Sequence, residues 1–472
     1  MLEILAFSAT HQARLVRQRA ISSVELVQAH LARIATVNPS THAVIEVFAA
    51  PALAAADATD RAVAQGTPAG PLSGVPFSIK DSIEIAGAVC TAGTLGRRAA
   101  PPATRDATLV ARLRRAGAIP IARTNLPDLL FAFESDNLLF GATCNPYDAT
   151  RTSGGSSGGE AALIASGGSP FGLGSDAAGS VRLPAAFCGI AAIKPTSGRL
   201  PRTGHFPPAG GWIQALWQIG PMARHVEDLC TLMPLLVGSD GQDTSVVDMP
   251  FLDPARVHLS HLRVAFHTDN GFAPADPEVS TVVRAAARAL APDVASLAED
   301  RPACLAQAYD LEMKLLGADG GDGVRQYLED IGSTQVHPLL TGWLDKLEPY
   351  RTTVAGFAAY WAEWDAYRTN MAAFLGRYDV ILSPVYTHPA LPHGASILEA
   401  NFHGFSHTMA HNMSGWPAAV VRCGVSSTGL PIGVQIAAAP WREDIALAVA
   451  LRLERRTGLL ACPPPSQLTP FQ

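Results

Sequence analysis

At 472 residues the chain exceeds the length of a typical single domain, yet no linker, charge block or internal repeat divides it. Charged residues make up only 16 % and apolar residues 48 %, which predicts one large core or a subunit contact that covers further surface. The net charge of −6, with lysines and arginines scattered along the chain, argues against binding to nucleic acid.

The cysteines and the apolar stretches bear on the compartment. The seven cysteines are widely spread and form no CxxC pair, so we expect a reduced, cytoplasmic protein. No stretch supplies the ~18–20 apolar residues that would cross a membrane. The first residues, with Glu3 and three early arginines, do not match a signal peptide.

The hydrophobic pattern and the turn signals predict alternating helices and strands. In chain order we predict a helix over 22–38 that opens with a Ser22–Glu25 capping box, helices over 51–64 and 108–116, strands over 75–79 and 118–122, a helix over 160–166, strands over 378–384 and 430–436, and a helix over 443–455. The repeated helix–turn–strand order favours an α/β fold with a largely parallel sheet. Residues 250–375 are predicted to be mostly helical and carry no motif.

Two glycine-bracketed serines carry the chemistry. Ser156 lies in the run Ser-Gly-Gly-Ser-Ser-Gly-Gly-Glu, and Ser180 closes the run Gly-Ser-Asp-Ala-Ala-Gly-Ser. Bare backbone beside a hydroxyl lets a substrate carbonyl approach main-chain N–H groups, and Lys80, at the end of a predicted strand, could serve as the base. Phosphate binding is the rival reading, but neither G-x-x-x-x-G-K-[ST] nor a strand-preceded G-x-G-x-x-G is present.

These motifs together resemble the amidase signature family. The resemblance covers most of the chain and is weakest between about 250 and 375; it rests on segments 74–81, 116–125, 154–159, 174–189, 193–196 and 429–435. It implies a single large domain over 1–472, with a mixed, mostly parallel sheet covered by helices on both faces. The catalytic core would then occupy about 60–240 and 376–460, with a variable, substrate-side helical region over about 250–375.

The resemblance also implies roles for individual residues. Ser180 matches the nucleophile, Ser156 the bridging serine that follows a cis peptide bond after Gly155, and Lys80 the general base. The backbone amides that match the oxyanion hole are those of Ala177, Ala178, Gly179 and Ser180. Neither a metal nor a cofactor is expected.

Other residues near the serines are assigned supporting or structural roles. Ser157 should form hydrogen bonds within its loop, and Asp176 and Arg182 should form an orienting ion pair rather than contact substrate. Cys188 lies in an apolar run and should belong to the core. His403, His407 and His411 recur at helical spacing, but no H-E-x-x-H or carboxylate cluster completes a metal site, so a loop lining the pocket near Asn412 is favoured.

This chain departs from the family pattern at two positions. Ala178 stands where a glycine is usual, and its N–H remains available for an oxyanion. Ser153 stands where a proline is common, which loosens the entry to the first serine loop without removing a reactive group.

The expected activity is hydrolysis of a carboxylic amide through an acyl-enzyme. A hydrophobic acyl or aryl group is favoured, with esters, anilides or carbamates as further substrates, because the segment between the serines is similar to fatty-acid amide hydrolases. The predicted pocket residues are Leu129, Leu130, Phe131, Phe133, Trp212 and Trp217.

Two alternatives stay open. The chain could be the amidase subunit of a tRNA-dependent amidotransferase, although Trp217 sits near where that subunit usually carries an acidic residue. It could also be an inert binding protein on the same fold. Low charge content and the resemblance are compatible with a homodimer.

Overall fold

The computed structural model describes residues 2–67, 70–208 and 211–458. The proline-rich segment from Cys462 therefore lies outside the described residues. The strands are Val44–Val47 (β1), Pro76–Lys80 (β2), Ile119–Thr124 (β3), Cys144–Asn145 (β4), Asp148–Thr152 (β5), Phe171–Asp176 (β6), Ala191–Lys194 (β7), Gln218–Ala223 (β8), Arg263–Phe266 (β9), Ser296–Glu299 (β10), Val380–Pro384 (β11), Ala418–Val425 (β12) and Pro431–Ala438 (β13).

Helices occupy most of the remaining described chain. They are Ala9–Arg17 (α1), Ser23–Thr41 (α2), Ala49–Ala64 (α3), Thr108–Arg115 (α4), Gly158–Ala165 (α5), Arg182–Cys188 (α6), Val226–Leu236 (α7), Pro277–Leu290 (α8), Ala308–Leu316 (α9), Asp322–Asp330 (α10), Pro338–Leu347 (α11), Val354–Phe374 (α12), Glu399–Phe402 (α13), Ser406–Met413 (α14) and Glu443–Thr457 (α15). Every predicted element is present, with bounds that differ by a few residues.

Eleven strands form one sheet in the order β1-β3-β2-β6-β8-β7-β12-β13-β11-β9-β10. The sheet is mixed, as expected for a single large α/β domain. The predicted parallel pairing is found among β3, β2 and β6 and among β11, β9 and β10. Each pair of neighbours in the central run β6-β8-β7-β12-β13-β11 is antiparallel. The β1–β3 pair is also antiparallel.

Alternating side chains along the strands divide the core between the two faces of the sheet. On β7, Ala191 and Ile193 join a cluster with helices α4, α7, α8 and α15, whereas Ala192 joins a second cluster with α2, α3, α5 and α6. On β2, Phe77 and Ile79 belong to the first cluster. Lys80 therefore points to the opposite face, where α5 and α6 follow the two serine loops.

The start of the first long helix, α2, was predicted correctly from the sequence, but its end was not. Ser22 Oγ accepts a hydrogen bond from Glu25 N at 3.0 Å and Glu25 Oε2 accepts one from Ser22 N at 2.9 Å, so the predicted capping box is confirmed. The predicted end at residue 38 is wrong, because α2 continues through Pro39 to Thr41. The Thr41 hydroxyl donates to the Val37 carbonyl at 3.0 Å and so gives the last turn a further bond.

The region 250–375 is mostly helical, as expected, but it also contributes to the sheet. Strands β9 and β10 lie within it and pair in parallel with each other, and β9 pairs with β11. The sheet therefore extends beyond the predicted core segments 60–240 and 376–460. Short strands at the end of a sheet are weakly signalled in the sequence, since Ser296–Glu299 is only partly buried.

Candidate active site

Lys80 is fully buried at the carboxyl end of β2. Its Nζ donates to Ser156 Oγ at 2.7 Å and to Ser175 Oγ at 3.1 Å, with the Ser175 carbonyl oxygen at 3.4 Å. The predicted pairing of Lys80 with Ser156 is thus present in the geometry. Ser175 was not singled out from the sequence, because a serine inside a buried strand has no distinguishing local signal.

Burial decides the protonation of this lysine. Desolvation lowers the pKa of Lys80 well below its usual value, and attraction to Asp176 and Glu160 only partly opposes it. A fully buried ammonium without a carboxylate in direct contact favours losing its proton. Lys80 therefore has the electrostatic setting of a neutral base.

The first serine loop is fixed by close backbone packing. The Gly155–Ser156 peptide bond is cis, as the resemblance implied. A Cβ on Gly155 would lie 2.6 Å from Glu134 N, so only glycine fits there. Ser135 Oγ, which the sequence did not reveal, donates to Gly154 O at 3.1 Å and accepts from Gly158 N at 2.9 Å.

The prediction that Ser157 forms hydrogen bonds within its own loop is wrong, because its side chain pairs with Ser175 on β6. The Ser157 hydroxyl donates to the Ser175 carbonyl at 3.3 Å and accepts from Ser175 N at 3.3 Å. Ser157 N also donates to the Ser180 carbonyl at 3.1 Å. The two serine loops are therefore tied together beside Lys80.

The loop of Ser180 is organised by the Asp176 carboxylate. Arg182 contacts it with Nε at 3.0 Å and Nη2 at 2.9 Å, and both side chains are fully buried, so the predicted ion pair is present. Burial opposes ionisation, but the charge and hydrogen bonds of Arg182 and the amide of Asn412 hold the pKa of Asp176 well below its usual value.

One of the expected oxyanion donors is already occupied. Gly179 N donates to Asp176 Oδ1 at 2.8 Å, so its inclusion in the predicted hole does not fit this geometry. The amides of Ala177, Ala178 and Ser180 donate to no atom in the described ranges of the chain. They are available to an oxyanion beside the Ser180 hydroxyl.

Helix α14 packs against the Ser180 loop, and Thr408 on this helix, which was not predicted from the sequence, contacts the loop. Thr408 Oγ1 donates to the Ala178 carbonyl at 2.7 Å, and Arg182 Nη1 donates to the Thr408 carbonyl at 2.9 Å. The expected loop near Asn412 is wrong: these residues are helical. His407 and His411 are buried in α14, and the described residues contain no group of side chains suited to holding a metal.

The serines open into a mainly apolar pocket. Five of the six predicted pocket residues line it together with Ser156 and Ser180: Leu129, Leu130, Phe131, Phe133 and Trp217. The side chain of Trp212 lies outside the described residues. Phe133 stacks on Phe405 with ring centroids 3.6 Å apart. Helices α9 and α11 add residues that the sequence did not mark: Glu312, Leu316 and Trp343.

Comparisons with known proteins place this site in a family. The sequence profile described as Amidase matches residues 25–447. The chain belongs to the amidase signature family. Several of the relatives are named as amide hydrolases, and this amidase is accordingly a hydrolase acting on carbon–nitrogen bonds other than peptide bonds.

Relatives of this amidase differ in what their names say they act on. The fatty-acid amide hydrolase 2-A of Danio rerio is 31 % identical over 96 % of this chain and 89 % of its own length. A glutamyl-tRNA(Gln) amidotransferase subunit from Prochlorococcus marinus (strain MIT 9303) is 32 % identical over 95 % of this chain and 97 % of its own.

A solved structure shows the same architecture. That of 6-aminohexanoate cyclic dimer hydrolase complexed with substrate superposes with a TM-score of 0.85 at 29 % identity, covering 98 % of this chain and 99 % of that one. In the part of the amidase that the structure describes, no helix combines the length and the apolar character needed to span a bilayer.

Proposed function

We propose that this amidase hydrolyses carboxylic amides through an acyl-enzyme on Ser180, with Ser156 as the bridging serine and Lys80 as the general base. The observation that carries the proposal is the 2.7 Å contact between Lys80 Nζ and Ser156 Oγ in a fully buried setting. Ser156 and Ser180 line the same pocket, and the amides of Ala177, Ala178 and Ser180 have no acceptor among the described residues.

In the proposed first step, Ser180 Oγ attacks the substrate carbonyl carbon. Its proton passes to Ser156 Oγ while the proton of Ser156 passes to neutral Lys80. The carbonyl oxygen becomes an oxyanion held by the amides of Ala177, Ala178 and Ser180.

The second half of the cycle returns the proton. Lys80 reprotonates Ser156, which delivers a proton to the substrate nitrogen as the C–N bond breaks and the amine leaves. Water then attacks the acyl-enzyme ester by the same proton route, releases the carboxylic acid and restores the Ser180 hydroxyl.

The apolar pocket favours a substrate with a hydrophobic acyl or aryl group, with anilides, esters and carbamates as further substrates. Glutamine hydrolysis as part of an amidotransferase is the second candidate, because several relatives are subunits of such enzymes. That activity needs polar groups for the α-carboxylate and α-amine of glutamine. Most of the described residues that line this pocket are apolar, and Glu312 is the one charged residue among them, so the lining offers no lysine or arginine for the α-carboxylate.

The test is hydrolysis of p-nitroanilides with short, long-chain and aromatic acyl groups, beside free glutamine and with Ser180→Ala as control. Serine-dependent release that rises with apolar acyl size supports the proposal. Ammonia release from glutamine without anilide hydrolysis would favour the amidotransferase role. An inert binding protein would fail to react with a serine-directed phosphonate.

We further propose a cytoplasmic homodimer that acts on small-molecule amides and binds no nucleic acid. The six described cysteines are all free thiols, in keeping with a reducing compartment. Light scattering tests the oligomeric state, and a mass equal to that of one chain would reject the dimer.

A further inference from the structure

One acidic side chain that lines the pocket lacks a hydrogen-bond partner in the part of the chain that the structure describes. Glu312, on α9, is fully buried and lines the same pocket as Ser156 and Ser180. Neither of its carboxyl oxygens has a hydrogen-bond partner within the described residues. Buried polar groups are nearly always hydrogen-bonded, because an unmade bond costs about 1–3 kcal/mol.

The neighbouring charges on α9 are satisfied, which sets Glu312 apart. Lys314 pairs with Asp310 at 2.9 Å and with Glu363 at 2.8 Å on the outer side of the helix. Leu311 and Leu315 belong to a buried hydrophobic cluster. Desolvation raises the pKa of Glu312 well above its usual value, so the side chain tends to be an uncharged acid.

Two tryptophans bring unpaired donors to the same pocket. Trp217 and Trp343 both line it, and the Nε1–H group of each is buried with no acceptor among the described residues. An indole N–H can only donate, whereas a carboxyl group accepts and, when protonated, also donates. The residues that line the apolar pocket therefore include one buried, unused acceptor and two buried, unused donors.

We propose that Glu312 determines specificity by accepting a hydrogen bond from an N–H group on the acyl side of the substrate. The preferred substrate class is an amide whose acyl chain carries a second, neutral amide. Such a group offers an N–H to the Glu312 carboxyl and a carbonyl oxygen to an indole N–H. A plain hydrocarbon chain leaves all of these groups unpaired. The inference rests on the proposed amide hydrolysis and narrows its substrate.

The experiment compares p-nitroanilides whose acyl chains contain the same number of chain atoms. N-acetyl-4-aminobutyryl carries the second amide, 4-acetoxybutyryl keeps the carbonyl but lacks the N–H, and heptanoyl lacks both. A 6-aminohexanoyl chain presents an ammonium instead. Each is measured as kcat/KM with the full chain and with its Glu312→Gln, Glu312→Leu and Asp310→Asn variants, and Ser180→Ala reports background.

We expect the acetamido substrate to exceed both the acetoxy and heptanoyl substrates by about 5- to 100-fold, the range of one hydrogen bond to a buried group. Glu312→Leu should remove that preference, and Asp310→Asn, an exposed acid on the same helix, should keep it. Glu312→Gln retains an acceptor and should keep part of the preference. This variant also tests the proposal if Glu312→Leu does not fold.

Other outcomes overturn the inference. Equal kcat/KM for the acetamido and acetoxy substrates, or an unchanged ratio in Glu312→Leu, would mean that Glu312 is structural, since a structural defect lowers all rates together. A preference for the 6-aminohexanoyl substrate would show that Glu312 binds a cationic group and not a neutral amide, and would overturn the proposed substrate class. If no anilide is hydrolysed in a Ser180-dependent manner, the proposed function itself fails, which is a separate result.

Discussion

At the scale of single residues, the lysine that contacts Ser156 carries the proposed mechanism. Lys80→Ala should lower kcat/KM by about 10²–10⁴-fold, the usual contribution of a general base, and Ser156→Ala should cost a similar factor. Steady-state kinetics on an accepted p-nitroanilide measure both. Lys346→Ala, which removes a lysine paired with Glu399 near the surface, is the control. Near-normal turnover in Lys80→Ala would rule out lysine as the base.

The pKa of Lys80 predicts the pH dependence of the same reaction. Only the neutral amine accepts a proton, so kcat/KM should fall as pH decreases through the Lys80 pKa and level off above it. Because burial lowers that pKa, the plateau should be reached well below pH 10.5, the ordinary value. A pH–rate profile measures this. A limb that still rises near that ordinary value would contradict a neutral, desolvated Lys80.

The buried ion pair next to Ser180 should matter for stability. Asp176→Asn leaves the Arg182 charge without its partner, and loss of one member of a buried pair costs about 3–5 kcal/mol. Glu299→Gln breaks the exposed Arg284 pair and should cost less than about 1 kcal/mol. Urea unfolding measures both variants. Equal, small losses would show that Asp176 is not needed to hold this loop.

At the scale of elements, the Ser180 loop is shaped by its contact with α14. Gly179 has φ +126°, and a Cβ there would overlap the Thr408 side chain, whose hydroxyl holds the Ala178 carbonyl. Gly179→Ala should therefore displace the proposed oxyanion amides and lower kcat by about 10²–10³-fold. Gly238→Ala is the matched control, because Gly238 has φ +101° but only an ordinary contact at 3.6 Å.

Comparison of kcat between variants separates the two possible effects of Gly179→Ala, backbone strain and the clash with the Thr408 side chain. Backbone strain alone would affect the stability of both glycine variants and leave kcat unchanged in both. The clash with Thr408 is specific to Gly179, so the double variant Gly179→Ala, Thr408→Ala should recover part of kcat. Equal kcat in the two single variants would show that the loop tolerates a side chain at Gly179.

At the scale of the whole molecule, buried histidines should make the fold sensitive to acid. Burial lowers the pKa of five of them below 6.5: His30, His205, His267, His407 and His411. In the unfolded chain these imidazoles take up protons below about pH 6.5. At these five side chains the unfolded state then binds more protons, so their contribution to stability falls as pH decreases from that value.

His30 allows this effect to be measured. Its pKa is lowered to about 4, so it alone should remove about 2 kcal/mol of unfolding free energy between pH 7.5 and 5. His30→Gln should abolish that share of the pH dependence, as measured by urea unfolding at both pH values. Burial raises the pKa of Asp81 to about 6 and those of Glu160, Asp228 and Glu454 to about 7; these shifts act in the opposite direction and are common to both proteins. Parallel pH profiles would contradict the prediction.

Much of the architecture was predictable because its signals are local. The capping box of Ser22, the short apolar strands and the glycines after helices each reflect backbone chemistry within a few residues. Pairing is not local: the same strand pattern suits parallel or antiparallel neighbours. The antiparallel centre of the sheet and the strands Arg263–Phe266 and Ser296–Glu299 near its edge could therefore be identified only from the tertiary structure.

The sequence by itself determined the family and pointed to the two serine loops and to Lys80, because these residues lie in several motifs spread over most of the chain. Only the tertiary structure decided that Gly179 N is already bound to Asp176 and that Ser135 holds the first loop. It also distinguished Glu312 from Asp310 on the same helix. Burial and partners depend on what packs from distant segments, and no spacing along the chain encodes that.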